Sequence, residues 1–445
     1  MGYNKRMISS DDIMLTSEFE KAFETLEYTQ RNVFITGKAG TGKSTFLDYF
    51  RKNTKKNIVI VAPTGVSALN VRGQTIHSFF GLEPRFVDVS SIGRRRNRKT
   101  YQQIDLVIID EISMVRADVM DGIEKVLRIN GPKQGTPFGG VQICVIGDLF
   151  QLPPVITGEE EEYFNRFYNS PFFFDAHSFD MDDFDLIRFN NIFRQAEDGF
   201  INTLNRVRIG HKTPDILNFL NERHGVDMEE YENSVTLCST NRIADDLNKT
   251  KLKNLSGIPY TFKGNLKGDF DSEKSRLPCP ERLVLKEGAQ VMFVKNDPDK
   301  RWVNGTIGRV VNLSLKNVEV EIYKNGEPRR YKVELEKWPS IRYEFDEEED
   351  KLVEEEIGSF SQYPLILAWA ITIHKSQGKT LDSAIIDLGR GAFAPGQLYV
   401  ALSRCRHFDK IALKNRINAR DIKCDERILN FVKDYAQNQK MKENS

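Results

Sequence analysis

Short apolar runs that end in polar or charged residues recur along the first third of the chain, with helical patterns between them. Runs of this length, alternating with amphipathic helices, are typical of the parallel strands of an α/β sheet. Because ligands bind such sheets at the carboxyl ends of the strands, we expect the segments that follow these runs to face one crevice. The predicted strands cover residues 32–36, 57–62, 105–109 and 141–146.

Two helical patterns lie among these strands, at residues 44–51 and 118–128. In the second, Val119, Ile123 and Val126 share one face, which predicts an amphipathic helix with that face toward the core. Asp118 is its predicted N-cap, and Gly131-Pro132 marks the end of the helix.

A second α/β pattern follows residue 190, without a second phosphate-binding loop. A nucleotide bound by the first pattern would then lie between two domains. The predicted strands of the second pattern cover residues 235–238, 365–372, 384–388 and 411–414.

Residues 280–360 interrupt this second pattern with β-type runs, and we interpret them as a small inserted β-barrel. Asn325-Gly326 is typical of a tight hairpin turn. Residues 342–345 and 352–360 flank an acidic tip, and we expect them to pair as a further hairpin. The other runs cover residues 289–294, 306–313, 317–323 and 329–335.

The composition excludes several classes of protein. A chain of 445 residues is long enough for roughly three domains. Its five cysteines include no C-x-x-C pair, which favours a reducing compartment and argues against structural zinc, so we expect no metal beyond nucleotide-bound Mg²⁺. Since no secretion signal and no apolar run long enough to span a bilayer is present, we expect a cytoplasmic protein without a membrane partner.

Local charge says more than net charge, because 64 basic residues balance 64 acidic ones. The main basic cluster is RRRNRK at residues 94–99. A solvated loop and a nucleic-acid contact both fit such a run, and the sequence leaves the two open.

The sequence GKAGTGKS at residues 37–44 fits the pattern G-x(4)-G-K-[ST] of a phosphate-binding loop, and it lies between a predicted strand and a predicted helix. Its glycines allow backbone N–H groups to turn toward phosphates, and a helix N-terminus favours negative charge. Lys43 can reach the β- and γ-phosphates, and Ser44 can ligate Mg²⁺. The chain is therefore predicted to bind a nucleoside triphosphate with Mg²⁺.

Further residues suit hydrolysis of that nucleotide. Asp110 and Glu111 follow a predicted strand; Asp110 would hold Mg²⁺ through its water shell, and Glu111 would orient and deprotonate the attacking water. Gln151 follows another strand, where a γ-phosphate sensor and a plain polar turn both fit. Arg194 and Arg404 are candidates for the positive charge needed at the transition state, with a surface ion pair as the alternative for each.

Nine segments of the chain resemble, in order and spacing, the motifs of the petite-integration-frequency (PIF-type) DNA helicases of superfamily 1B. The resemblance covers residues 13–435, and nine motifs together are far more specific than any one of them. The segments are GKAGTGKST at 37–45, APTGVSAL at 62–69, GQTIHSFF at 73–80, DEISM at 110–114, PFGG at 137–140, GDLFQLPP at 147–154, FRQ at 193–195, LAWAITIHKSQGKTLD at 367–382 and YVALSR at 399–404.

This resemblance implies an ATP-driven helicase that moves 5′ to 3′ on single-stranded DNA and opens duplex ahead of it. The implied fold is α/β, with two RecA-like P-loop NTPase domains, a small wedge inserted in the first and an SH3-like β-barrel inserted in the second. The implied boundaries are 1–190 for the first RecA-like domain, 75–104 for its wedge, 191–260 and 362–445 for the second RecA-like domain, and 261–361 for the barrel.

ATP would bind between the two RecA-like domains. The resemblance assigns catalytic roles to Lys43, Asp110, Glu111, Gln151, Arg194 and Arg404, and Mg²⁺ ligation to Ser44 and Asp110. The implied nucleotide-binding residues are Gly37, Ala39, Gly40, Thr41, Gly42, Lys43, Ser44, Thr45, Gln377 and Gly378.

The implied partners are single-stranded DNA and its junctions with duplex, and the chain is predicted to be monomeric when free. Phe79 or Phe80 could stack on bases or pack in the core, and His77 and His374 could contact DNA or be structural. The implied DNA-binding residues are Thr64, Gly65, Val66, His77, Ser78, Phe79, Pro154, Thr240, Asn241, His374, Lys375 and Ser376.

One position departs from the family pattern. Relatives often carry a Glu-Gln pair that reads adenine, whereas this chain has Glu18-Phe19, which leaves adenine selectivity open. Because the chain starts close to the first motif, we expect a bacterial member. The alternatives are a nucleotide-switched single-strand-binding ATPase or translocase without processive unwinding, and a helicase acting on RNA.

Overall fold

The computed structural model describes residues 16–443 except residues 157, 196, 271–276, 325–326, 347 and 349–350. Its architecture is α/β, with two parallel sheets and an antiparallel β region inserted in the second half of the chain. Across these described ranges, the helices are too short or too polar to cross a membrane.

The first sheet has six parallel strands in the order β3-β2-β4-β5-β1-β6. All residues of β4 and β5 are buried, as expected for strands covered on both faces. The elements of this part are α1 Ser17–Tyr28, β1 Asn32–Gly37, α2 Lys43–Asn53, β2 Ile58–Ala62, α3 Gly65–Asn70, β3 Gln74–Thr75, α4 Ile76–Phe80, α5 Arg98–Gln102, β4 Leu106–Ile109, α6 Ala117–Asn130, β5 Gln142–Gly147, α7 Gly158–Phe164 and β6 Phe184–Phe189.

The four strands predicted in this part are all present, and so are the two helices, but the predicted cap of α6 is wrong. Arg116 occupies the N-cap position, and Asp118 lies inside the first turn. Asp118 is fully buried, where its Oδ2 accepts hydrogen bonds from Arg116 Nη2 (2.6 Å) and from the Val87 N–H (2.8 Å). Asp118 therefore connects α6 to the segment before α5.

The stretch from α4 to α5 packs into the same apolar core as α6 rather than standing apart from it. Phe79 and Phe80 are both buried, and their ring centroids lie 4.8 Å apart. Phe79 also packs against Tyr101, whose hydroxyl donates to the Phe79 carbonyl at 2.6 Å. The structure thus supports core packing for both rings, and it contradicts Phe79 as an exposed base-stacking residue in this conformation.

The second part of the chain contains a four-stranded parallel sheet in the order β18-β7-β19-β20. Its elements, with those of the β region inserted between them, are α8 Asp198–Arg208, α9 Pro214–Asn221, β7 Val235–Cys238, α10 Asn241–Asn254, β8 Tyr260–Lys263, β9 Asn265–Gly268, β10 Arg282–Leu285, β11 Gln290–Phe293, β12 Ile307–Ser314, β13 Asn317–Lys324, β14 Glu327–Lys332, β15 Glu336–Asp346, β16 Lys351–Gln362, β17 Leu365–Leu367, β18 Ala370–Thr372, β19 Ala384–Asp387, α11 Gln397–Leu402, β20 Ile411–Leu413 and α12 Glu426–Glu443.

The single strand predicted at residues 365–372 is wrong, because the chain changes sheets within it. β17 pairs antiparallel with β11 in the inserted β region, whereas β18 pairs parallel with β7. One continuous apolar run serves both strands, with Leu365 of β17 and all three residues of β18 buried.

The β region contains a five-stranded antiparallel sheet in the order β14-β13-β12-β11-β17, with its own apolar core. The predicted Asn325-Gly326 turn lies outside the described residues, but the strands on either side of it pair as a hairpin, with Lys324 opposite Glu327. The second predicted hairpin is also present, as β15 paired antiparallel with β16.

The β15–β16 hairpin reaches back to the first sheet. The Tyr343 ring lies 5.7 Å from that of Phe79, and its hydroxyl accepts the Ile60 N–H at 3.4 Å. The Leu352 N–H donates to Asn57 Oδ1 (3.1 Å), and Arg51 pairs with Glu354. The hairpin therefore joins the inserted β region to the first part of the molecule.

The last helix, α12, also returns to the first core. Ile428, Phe431 and Tyr435 pack there, and the Tyr435 hydroxyl donates to the Phe184 carbonyl at 2.7 Å. The boundaries predicted from the sequence assign this segment to the second α/β domain, so its packing partner differs from that expectation.

The PFGG turn after α6 gives a first testable prediction. Gly139 has a φ of +62°, and a Cβ there would lie 2.1 Å from the Leu127 carbonyl oxygen. We expect Gly139→Ala to lower the free energy of unfolding by about 2–5 kcal/mol, because strain and overpacking add. Denaturant unfolding measures this change.

Gly135→Ala is the matched control, since Gly135 has a φ of +83° with open space around its Cβ position. It should cost only about 1–2 kcal/mol, the price of the left-handed backbone alone. Equal costs for the two variants would contradict the steric argument.

Candidate nucleotide site and DNA-facing edge

The phosphate-binding loop joins the end of β1 to the start of α2. Gly40 and Gly42 have φ values of +82° and +83°, which glycine adopts without strain. Lys43 Nζ donates to the carbonyls of Gly37 (2.6 Å) and Lys38 (3.0 Å). Loss of hydration lowers the pKa of Lys43, and the carboxylates of Asp148, Glu111 and Asp110 oppose that effect. The loop thus places the Lys43 cation near three carboxylates of the cleft.

Two of those carboxylates follow β4. Loss of hydration raises the pKa of Asp110 to about 6, and loss of hydration together with the Asp110 charge raises that of Glu111 to about 7. Glu111 also has a φ of +51°, an uncommon conformation for a residue with a side chain. Strained backbone and perturbed carboxyl groups cluster at functional sites, so this is the chemical centre of the cleft.

Gln377 crosses the cleft from the second part of the chain. Its Nε2 donates to Glu111 Oε2 at 3.3 Å and to Gln151 Oε1 at 3.1 Å. Gln377 follows the short 3₁₀ turn His374–Ser376, which comes after β18. The carboxyl ends of both parallel sheets therefore meet at these three side chains.

A second connection across the cleft was not predicted from the sequence. Asp148 is buried, and its carboxylate accepts hydrogen bonds from Arg208 Nη2 (2.7 Å) and from the Tyr399 hydroxyl (3.0 Å). Tyr399 also accepts the N–H of Ala39 in the phosphate loop at 3.0 Å. Asp148 and Tyr399 lie inside two of the family motifs, which could have identified them as candidate site residues. Arg208, at the end of α8, lies in none of the motifs.

The two candidate arginines lie close to this centre. Arg194 passes over the phosphate loop, because a Cβ on Gly40 would be only 2.5 Å from the Arg194 Cβ. Its Nη1 donates to the Ser403 carbonyl at 3.3 Å. Arg404 is fully buried; loss of hydration and the neighbouring Arg194 lower its pKa to about 9, while the Glu111 charge opposes them.

Arg404 also has a structural role. Its Nε donates to the Val400 carbonyl (2.8 Å), and its Nη1 donates to the carbonyls of Ser376 (3.2 Å) and Lys379 (3.3 Å). These bonds hold the segment around Gln377 and Gly378 against α11. A substitution of Arg404 would therefore disturb both charge and packing.

The residues predicted to contact DNA divide into three groups by exposure. Thr64 and Thr240 cap α3 and α10 with their side chains, and Thr240, Asn241, Ser78 and Lys375 are exposed. Gly65, Val66, His77 and His374 are partly exposed, and burial lowers the pKa of His374. Pro154, Ser376 and Phe79 are buried, so their side chains do not offer a free surface here.

Phe19, where relatives often carry an amide, packs against Phe46 and Phe189 in an apolar cluster of the first part that is separate from the one α12 joins. Its ring approaches the phosphate loop, since a Cβ on Gly42 would lie 3.0 Å from the Phe19 Cζ. Asn190 Nδ2 donates a hydrogen bond to Oε1 of the neighbouring Glu18 at 3.5 Å. An amide thus accompanies Glu18, although it comes from the end of β6 instead of the next residue.

Comparisons with known proteins agree with this arrangement. The family model described as PIF1-like helicase matches residues 14–214. The ATP-dependent DNA helicase Pif1 of Bdellovibrio bacteriovorus is 33% identical over 95% of this chain and 93% of its own length.

Two solved structures of Pif1 from Bacteroides differ in their similarity to this chain. The complex with ADP-AlF4 has a TM-score of 0.86 at 38% identity, covering 96% of this chain and 98% of that one. The complex with single-stranded DNA has a TM-score of 0.70 at 37% identity over the same shares of both chains. The present conformation is therefore more similar to the ADP-AlF4 complex than to the complex with single-stranded DNA.

The raised pKa of Glu111 predicts a pH-dependent effect on stability. Folding raises this pKa from 4.5 to about 7, so the folded protein binds the proton more tightly than the unfolded chain does. The ionised carboxylate therefore costs stability as the pH rises above about 4.5, and the cost is complete above about pH 7. Glu111→Gln should raise the melting temperature more at pH 8 than at pH 5.

Thermal unfolding of the free protein at the two pH values measures this difference. Glu24→Gln, at an exposed position of α1, is the control and should shift the melting temperature equally at both. An equal shift for Glu111→Gln at pH 5 and pH 8 would contradict the assignment.

Proposed function

The chain belongs to the PIF1-like helicase family and is an ATP-dependent DNA helicase, and we propose that it moves 5′ to 3′ along a single strand and opens the duplex ahead of it. The observation that carries this proposal is Gln377, which hydrogen-bonds Glu111 and Gln151 from the opposite side of the cleft. A nucleotide bound at that point touches both parallel sheets, so its hydrolysis can change their separation.

In this mechanism the phosphate loop binds the triphosphate, and Lys43 neutralises the β- and γ-phosphates. Glu111 accepts a proton from the attacking water, for which its raised pKa suits it. Gln151 and Gln377 sense the γ-phosphate, and Arg194 and Arg404 stabilise the charge of the transition state. The backbone of residues 37–42 and the side chains of Thr41 and Thr45 complete the cradle, with Gly378 on the opposite side.

The residues present also fit Mg²⁺. The hydroxyl of Ser44 is exposed at the start of α2, and Asp110 shares a poorly hydrated cleft with Glu111, where a divalent cation would relieve their mutual repulsion. Ser44 and Asp110 would hold the ion, which would neutralise charge on the phosphates. With the ion and the nucleotide bound, Asp110 and Glu111 would both be ionised.

We assign single-stranded DNA and its junction with duplex to the edge formed by Thr64–Val66, Ser78, Thr240–Asn241 and His374–Lys375. Hydroxyls, backbone amides and one cation suit phosphate contacts that do not depend on sequence. A similar protein, Pif1 from Bacteroides, has been solved bound to single-stranded DNA, which supports this assignment.

The domain boundaries follow the same proposal. The proposed first RecA-like domain is residues 1–190, with a wedge at residues 75–104. The proposed second is residues 191–260 and 362–445, and α12 at its end packs against the core of the first. Residues 261–361 form an SH3-like barrel, which the antiparallel sheet of the β region supports. We further propose that the protein is a monomer when free.

The test of this function is single-turnover unwinding of one duplex that carries either a 5′ or a 3′ single-stranded tail, with ATP and Mg²⁺. We expect unwinding from the 5′ tail alone, together with ATP hydrolysis that the strand stimulates. Equal unwinding from both tails would contradict the polarity. Stimulated hydrolysis without unwinding from either tail would instead support a switch or translocase.

Arg194→Ala gives a separate prediction about hydrolysis. Because Arg194 lies over the phosphate loop, its removal should lower strand-stimulated ATP hydrolysis by about 10³- to 10⁵-fold, while nucleotide binding remains. Steady-state ATPase assays and binding of a fluorescent ATP analogue measure the two effects. Arg206→Ala, which removes a guanidinium paired with Asp215 at the surface, is the control and should leave both unchanged. Unchanged turnover in Arg194→Ala would remove it from the catalytic set.

A further inference from the structure

A loop at the carboxyl edge of the second sheet has a hydrogen-bonded backbone and an exposed phenylalanine. The loop joins β19 to α11, and Phe393 within it is 57% exposed. The Phe393 N–H donates to Gln397 Oε1 and the Ala392 N–H to Asp421 Oδ1, each at 3.1 Å. Gln397 and Asp421 are buried. Two buried polar side chains therefore fix the backbone of a loop whose apolar ring remains in solvent.

This loop lies beside the proposed strand-binding residues of the second sheet. The side chain of Gln397 donates from Nε2 to the Ser239 carbonyl at 3.2 Å, immediately before Thr240 and Asn241. β19 pairs with β7 so that Asp387 lies opposite Cys238. The segments that follow these two strands consequently leave the sheet side by side.

On its other side the loop packs against the first part of the chain. A Cβ on Gly396 would lie 2.3 Å from the Gln151 carbonyl oxygen and 2.5 Å from that of Phe150. The loop thus touches the segment that runs from Gln151 to Pro154. The loop that carries Phe393 therefore contacts the Phe150–Gln151 backbone of the first part and, through Gln397, the Ser239 carbonyl of the second.

Two cations on or next to this loop favour a nucleic acid as the partner of Phe393. Lys423 Nζ donates to the Phe393 carbonyl at 3.3 Å, and Arg390 is an exposed cation of the same loop. Exposed aromatic rings combined with positive charge bind single strands without sequence preference, because every base has a face to stack on.

We propose that Phe393 stacks on a base of the bound single strand. This inference rests on the proposed function, because it requires the strand to follow this edge. Phe393 lies four residues before α11 begins, and the same helix carries Tyr399, which contacts Asp148 and the phosphate loop. The proposed base contact and the contact with the phosphate loop therefore lie six residues apart in the chain, on the loop and on the helix that follows it.

The experiment compares wild-type protein with Phe393→Ala, using two fluorescently labelled strands of equal length at one salt concentration. One strand is oligothymidine, and the other is an abasic strand with the same sugar-phosphate backbone. The variant should bind oligothymidine about 5- to 100-fold more weakly than the wild type does, the range expected for one lost stack. It should bind the abasic strand as the wild type does, and Phe393→Trp should restore the affinity for oligothymidine.

Tyr28→Ala is the matched control, since Tyr28 is an exposed aromatic residue at the end of α1, near the amino end of β1 and so at the opposite edge of the first sheet. It should bind both strands normally. Equal losses on both strands by Phe393→Ala, or no loss on either, would overturn the stacking proposal. If the wild type itself bound neither strand, the proposed function would fail instead, so the two failures are distinguishable.

Discussion

The cleft between the two sheets depends on one buried carboxylate. Removing a charge from water is costly unless it is paired, and the two side chains that hydrogen-bond Asp148, those of Arg208 and Tyr399, come from the second part of the chain. Although burial acts in the opposite direction, Arg208 and Lys43 hold the pKa of Asp148 below its ordinary value. The Arg208 guanidinium also lies 4.0 Å from the centre of the Phe150 ring. The contact between the two parts of the chain is therefore what pairs the charge of Asp148 with Arg208.

The same contact connects the phosphate loop to the second part of the chain by hydrogen bonds. Tyr399 bonds Ala39 as well as Asp148, and Gln377 bonds Glu111 and Gln151. A nucleotide that rearranges the loop must therefore rearrange α11 and the segment after β18. Those segments adjoin the edge assigned to DNA, so one set of hydrogen bonds connects the two ligands. The β15–β16 hairpin adds a third contact, made by Tyr343, between the inserted β region and the first sheet.

The sequence predicted the parts of this structure that depend on local pattern. Strands buried on both faces are continuous apolar runs, and the residues that follow them collect at one edge, so the phosphate loop, Asp110-Glu111 and Gly147-Asp148 could be grouped in advance. The pattern could not show that residues 365–372 serve two sheets, because both strands are equally apolar. Nor could it predict Arg208 or the packing of α12, because each depends on a partner distant in sequence. Asp118 has the right chemistry for an N-cap, but pairing with Arg116 and Val87 holds it inside the helix.

The central claim is that nucleotide and single strand are coupled through this cleft, and linkage provides the most direct measurement. The affinity of the wild-type protein for a labelled oligothymidine would be measured without nucleotide, with ADP, and with a transition-state analogue of ATP hydrolysis. The account predicts that the affinity changes with nucleotide state, by about 5- to 150-fold for a typical coupling, and that the strand changes the affinity for the same nucleotide by the same factor. Identical strand affinities in all three states would contradict it.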